Sequence, residues 1–251
     1  MYRPRIIPVL LLKNQVLVKS VRFRNHAYIG DPINAVRIFN DSKADELVFL
    51  DISATNESRI IDLDFVKSIG EEANMPFAVG GGICSIQDIQ SILAIGAEKV
   101  IINTYAAKDP GFIRKASETF GSSTITVCID VKKKFFNGLR CMVNAGSKTI
   151  DFNPIDFSKL MEANGAGEII IQSIDRDGTM SGYDLSLINE ISKAVKIPVI
   201  ALGGAGNMDD LRKGYQIGNA NGLAAGSMFV YMGPHKGVLI NYPERSQLIR
   251  G

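Results

Sequence analysis

The chain has 251 residues, 46% apolar and 22% charged, and a formal net charge of +2. This is an ordinary soluble composition, and so small a net charge gives no case for nucleic-acid binding by itself. No apolar stretch approaches the length needed to span a bilayer and no signal-peptide pattern opens the chain, so a cytoplasmic protein is expected. Eight short apolar runs then follow in chain order, at residues 5–12, 46–51, 76–79, 99–103, 125–130, 168–173, 198–202 and 222–225. Segments of helical periodicity, such as 32–40, 65–72, 86–93 and 185–195, alternate with them. Runs that are continuously apolar, without polar alternation, fit strands buried on both faces of a parallel sheet. The chain also repeats itself about 122 residues apart: FLDIS (49–53) is answered by IQSIDRDG (171–178), and PFAVGGGI (76–83) by PVIALGGAG (198–206). VIINT, ending at Thr104, is answered by GLAAGS, ending at Ser227. Eight strand–helix units in two matched halves predict one closed (β/α)8 barrel domain over 1–251, with half-barrels at about 1–122 and 123–251. Two long loops are expected, at 13–31 and 132–153, after the first and fifth strands.

Barrel enzymes keep their chemistry at the C-terminal ends of the strands. Gly80, Gly81 and Gly82 follow the third run, and Gly203, Gly204 and Gly206 the seventh. Each glycine group precedes a capping pattern, Ser85 with Asp88 and Asn207 with Asp210. Exposed backbone NH groups at a helix start bind anions, and glycine lets a phosphate approach closely. Asn103 with Thr104, and Gly226 with Ser227, complete the two cups, so a ligand with two phosphates is expected. Asp51, Asp130, Asp175 and Asp177 lie at or just past strand ends. Asp130 ends the fifth run between the cups and is the first choice for proton transfer, as a base unless burial raises its pKa. At the matching place in the first half stands Leu11. The segment 13–30 carries Lys19, Arg22, Arg24 and His26 and no acid, and could cover an anionic substrate. His26 and His235 are isolated and carry no assigned role. Cys84, Cys128 and Cys141 lack C-x-x-C spacing and read as reduced core cysteines. No metal constellation and no cofactor motif is visible.

GDPINAVRIFN, DELVFLDI, PFAVGGGI, KVIINT, SIDRDGTMSGYD and LGGAG closely resemble the cyclase subunit of imidazole glycerol phosphate synthase, over nearly the whole chain. That resemblance implies a barrel docked on a glutaminase as a heterodimer. Ammonia would pass along the barrel axis to a bisphosphorylated ribulosyl-aminoimidazole-carboxamide, giving imidazole glycerol phosphate and an aminoimidazole carboxamide ribotide. It implies phosphate-binding roles for Gly82, Asn103, Thr104, Asp177, Gly178, Gly204, Gly226 and Ser227, and substrate contact for Lys19, with Asp51 beside them. It also implies a charged gate of Arg5, Glu46, Lys99 and Glu168 at the bottom of the barrel. The family uses two aspartates as acid and base; here Asp130 is present, and Leu11 replaces the first. Gln172, where Thr or Asn is usual, and the C-terminal segment 233–251, which lacks the final helical pattern, also depart from the family. Paralogues that work beside a glutaminase and a separate sugar amidotransferase, converting acetamido to acetamidino groups on surface-polysaccharide sugars, have a similar start. Leu11 makes sugar amidination the leading expectation, with true histidine-pathway cyclization as the alternative and a non-catalytic scaffold that activates the glutaminase as a third reading. A related phosphoribosyl isomerase would also need the strand-1 acid.

Overall fold

A computed structural model describes residues 3–135, 138–233, 235 and 237–243. In chain order the first half holds β1 (Arg5–Lys13), β2 (Val16–Val21), β3 (Arg24–Gly30), α1 (Pro32–Asp41), β4 (Leu47–Asp51), α2 (Leu63–Glu72), β5 (Phe77–Gly80), α3 (Ile86–Ala94), β6 (Lys99–Ile102), α4 (Thr104–Lys108) and α5 (Pro110–Phe120). The second half holds β7 (Ile125–Lys134), β8 (Gly138–Val143), β9 (Lys148–Thr149), α6 (Pro154–Ala163), β10 (Glu168–Ser173), α7 (Leu185–Ala194), β11 (Val199–Leu202), α8 (Met208–Gln216) and β12 (Gly222–Ala225), followed by the short β13 (Tyr231–Met232) and β14 (Gly237–Val238). Parallel pairing runs β1–β4–β5–β6–β7–β10–β11–β12 and returns to β1, so the sheet closes into the (β/α)8 barrel expected from the alternating runs.

Closure explains why the strands read as apolar on both faces. Along β1, Ile6, Leu10 and Leu12 join the large core between sheet and helices, while Ile7 and Val9 point into a smaller core on the barrel axis. The period-2 alternation of a strand is present, but both sides are dry. All the helices but α4 and α5 begin where short polar side chains hold the first free NH groups: Asp31, Asp62, Ser85, Asn153, Asp184 and Asn207 all cap. The Ser85–Asp88 box is complete. In its counterpart Asn207 caps Asp210, whose carboxylate reaches instead to the NH of Gly206.

The two segments expected as long loops are instead antiparallel hairpins. β1 runs on to Lys13 and pairs with β2, which pairs with β3; β7 runs on to Lys134 and pairs with β8, then β9. Positive φ at Asn14 and Gln15, at Arg22 and Phe23, and at Asn144 and Ala145 gives the paired left-handed turn residues that match strand twist in tight hairpins. These three turns carry no Asn-Gly signal, whereas the stretch joining β7 to β8 contains one, Asn137-Gly138, that the reading of 132–153 as a loop passed over. At the C-terminus, the described residues after β12 form the β13–β14 hairpin and no α-helix. Tyr242 packs on Phe39 and Phe229, and its hydroxyl donates to the Ile6 carbonyl, tying the chain to the bottom of the barrel. Residues 244–251 of the departing segment lie outside the described residues. No described helix is long and apolar enough to cross a membrane. Cys128 and Cys141 are buried free thiols as expected; Cys84 is exposed, because it lies in the loop before α3 and not in a strand.

Candidate active site

A cavity of about 1220 Å³ opens at the C-terminal ends of the barrel strands. It is lined by Leu11, Lys19, Asp51, Gly82, Asn103, Thr104, Asp130, Asp177, Gly226 and Ser227, but not by Gly178 or Gly204.

Asp130 sits on β7 and is buried. Asn103 Nδ2 donates to its Oδ2 at 3.1 Å and to the Cys128 carbonyl at 3.0 Å, fixing the carboxyl at the barrel wall. Burial raises its pKa to about 7, against the opposing pull of the Asn103 hydrogen bond and with the help of the nearby Asp177 charge. Desolvation therefore shifts the group away from the ordinary base suggested by its unperturbed pKa and toward one that both holds and releases a proton near neutrality. Leu11 lines the same cavity from β1 and packs, with Leu50, against the axial core. It offers no proton.

The first cup is open. Gly81 and Gly82 have φ of +140° and +70°, and a Cβ on Gly82 would lie 1.8 Å from the Arg59 carbonyl oxygen, so the loop after β4 closes against backbone alone. Asp51 holds that loop in place: its Oδ1 accepts from the NH groups of Ser53 and Ala54, and its Oδ2 pairs with Arg59 at 2.6 Å. Asp51 thus borders the cavity with both oxygens engaged. Thr104 Oγ1 accepts from the Asn144 NH at 3.0 Å, linking this cup to the β8–β9 side.

The second cup is roofed by the β2–β3 hairpin. A Cβ on Gly178 would meet the Ser20 carbonyl at 2.1 Å, and one on Gly204 the Gly182 carbonyl at 2.2 Å. That packing removes both glycines from the cavity surface. Lys19 is buried over Gly226 and donates to the Val9 carbonyl at 2.5 Å. Desolvation lowers its pKa to about 8, although Asp177 opposes the fall. Asp177 is itself pushed up by burial and held by Ser20 Oγ at 3.1 Å and Gln172 Nε2 at 3.1 Å. Asp175 is drawn aside, accepting from the Lys133 NH at 2.8 Å. His26 lines the cavity too, its pKa lowered by burial and by Lys13; His235 is exposed.

At the opposite end of the barrel the four separated charges meet. Arg5 pairs with Glu46 and Glu168, and Lys99 with Glu46 at 3.3 Å and Glu168 at 3.0 Å, a closed ring of alternating sign. Burial pushes Glu46 up, against the pull of both cations. Among the described residues no group of three or more His, Cys, Asp or Glu stands together as metal ligands would.

Sequence reading missed Arg59 and Lys148, both at the cavity. Arg59 gave no signal beyond lying past a strand end; Lys148 belongs to a second segment, 131–149, that has basic residues and no acid.

A family profile described as histidine biosynthesis protein matches residues 5–236. An imidazole glycerol phosphate synthase subunit of Alkaliphilus metalliredigens is 42% identical over 231 residues, covering 92% of each chain. A Vibrio vulnificus protein that bears the same name provisionally is 42% identical, over 98% of this chain and 95% of its own. A Pseudomonas aeruginosa protein, also provisionally so named, is 41% identical over 99% of both.

Proposed function

We infer that this chain, which belongs to the histidine biosynthesis protein family of imidazole glycerol phosphate synthase cyclase subunits, takes ammonia from a partner glutaminase and delivers it along the barrel axis to a phosphorylated acceptor. The observation that carries this reading is the closed ring of Arg5, Glu46, Lys99 and Glu168 beneath a cavity that holds Asp130. Buried charges so placed are costly unless paired, and an axis sealed by them at one end and opening on a protonatable carboxyl at the other suits guarded transfer of a small neutral base. The same proposal treats residues 1–251 as one domain of two half-barrels and needs no cofactor.

The names of the relatives favour imidazole formation in histidine biosynthesis as the reaction. The pKa of Asp130 agrees with it, since one carboxyl near 7 can donate and accept in successive steps. Leu11 favours a second reading, in which ammonia serves amidination of an acetamido sugar beside a separate amidotransferase. Loss of one member of an acid–base pair costs about 100-fold to 10,000-fold in rate. The deciding experiment is a cyclase assay with ammonium salt and the ribulosyl substrate, on wild type and Leu11→Asp. Turnover by the wild type at ordinary rates removes the amidination reading; activity gained only in the variant removes routine histidine synthesis. A scaffold without catalysis requires that no small bisphosphate binds tightly, which calorimetry decides.

A further inference from the structure

The axis of the barrel is lined by apolar side chains, among them Ile7, Val48, Ile101 and Ile170. A hydroxyl there is out of place unless something bonds it. Thr126 is 2% exposed, and its Oγ1 has no hydrogen-bond partner among the described residues. Valine has the same shape and would avoid the cost of a bare hydroxyl. Thr126 stands on β7 directly beside Glu168 of the charged ring, and both line a void of about 10 Å³ just inside that ring, with Glu46 on its other side. A void of that size holds one small molecule. Two strand steps higher, in the same column of β7, is Cys128, and two above it Asp130. Gln172, the register partner of Asp130, carries a second orphaned buried atom, Oε1.

We propose that Thr126 is the hydrogen-bond station that receives ammonia immediately inside the ring, with Gln172 Oε1 as the acceptor at the far end. This rests on the ammonia-transfer reading above and adds a positioning residue to it. Neutral ammonia both donates and accepts, so it satisfies the hydroxyl; the apolar stretch above would reject charged ammonium, whose desolvation is far more costly. The ring and Thr126 would together pass the base and hold back its conjugate acid.

Two measurements test this. Thermal unfolding compares wild type with Thr126→Val: the valine variant is expected to unfold at the same or a higher temperature, whereas a clear fall means the hydroxyl has a structural partner and overturns the proposal. In the complex with the glutaminase, amide-15N glutamine competes with unlabelled ammonium for the ribulosyl substrate, on the Leu11→Asp background if the wild type does not turn it over. The ratio of labelled to unlabelled product should fall roughly tenfold in Thr126→Val, the weight of one hydrogen bond, and recover in Thr126→Ser. An unchanged ratio, while the parent still prefers glutamine nitrogen, overturns the role of Thr126 alone. A parent with no preference overturns the channel reading with it.

Discussion

Replacing Asp130 by Asn should make the protein more stable, and increasingly so as pH rises. In the fold the carboxyl titrates near 7, against an ordinary value of 3.8. At about 1.36 kcal/mol per pKa unit, the ionized form is disfavoured by about 4 kcal/mol. Because the folded pKa is raised, the native state binds more protons than the unfolded chain between these values. The associated stability is complete below about pH 3.8 and is lost as pH climbs through 7. Asparagine keeps an oxygen for the Asn103 donor and has no proton to lose. The advantage of the variant should therefore widen by about 2.5 kcal/mol between pH 5 and pH 8. With a urea dependence of about 3 kcal/mol per M, the gap between denaturation midpoints grows by roughly 0.8 M. A gap that is the same at both pH values would show that Asp130 ionizes normally. A single carboxyl could then not serve as both acid and base near neutrality.

Glu46→Ala removes one anion from the ring and leaves Arg5 and Lys99 to share Glu168; a loss of about 3–5 kcal/mol by denaturant unfolding is expected, with less for Glu46→Gln. If glutaminase coupling in the complex is unaffected by Glu46→Ala, the gate role fails. Gly82→Ala forces a Cβ into the Arg59 carbonyl, so binding of a small bisphosphate should weaken more than tenfold by calorimetry. Lys19→Met should stabilize the fold by about 2–3 kcal/mol at pH 7, because desolvation lowers the folded pKa of the lysine to about 8. That advantage is present below about pH 8 and disappears as pH rises toward 10.5; unfolding at pH 7 and pH 10 would show a constant difference if the ammonium were solvated.

Much of the site was legible because it depends on local chemistry. Ser85 with Asp88 forms a cap whose partners are three residues apart, and the strand-end glycines mark where the chain must turn without side chains. What could not be read is set by contacts across the barrel. Asp51 offers the same carboxylate in sequence as Asp130, yet Arg59 and two NH groups engage the first while burial raises the pKa of the second to about 7. Gly204 repeats Gly82 of the first half, yet it packs against the Gly182 carbonyl, while Gly178 packs against Ser20 of the β2–β3 hairpin; both contacts join residues distant in sequence.

By itself the sequence determined the order of the eight barrel strands and the helices between them, the glycine groups at two strand ends, and the replacement of one expected acid by Leu11, since each follows from residue type at short spacing. Only the tertiary structure decided the rest. Closure of the sheet brought Arg5, Glu46, Lys99 and Glu168 from four strand starts into one ring. The same closure took Asp130 out of water and placed Lys19 over the second cup, because burial is a property of the packed barrel and not of any stretch of chain.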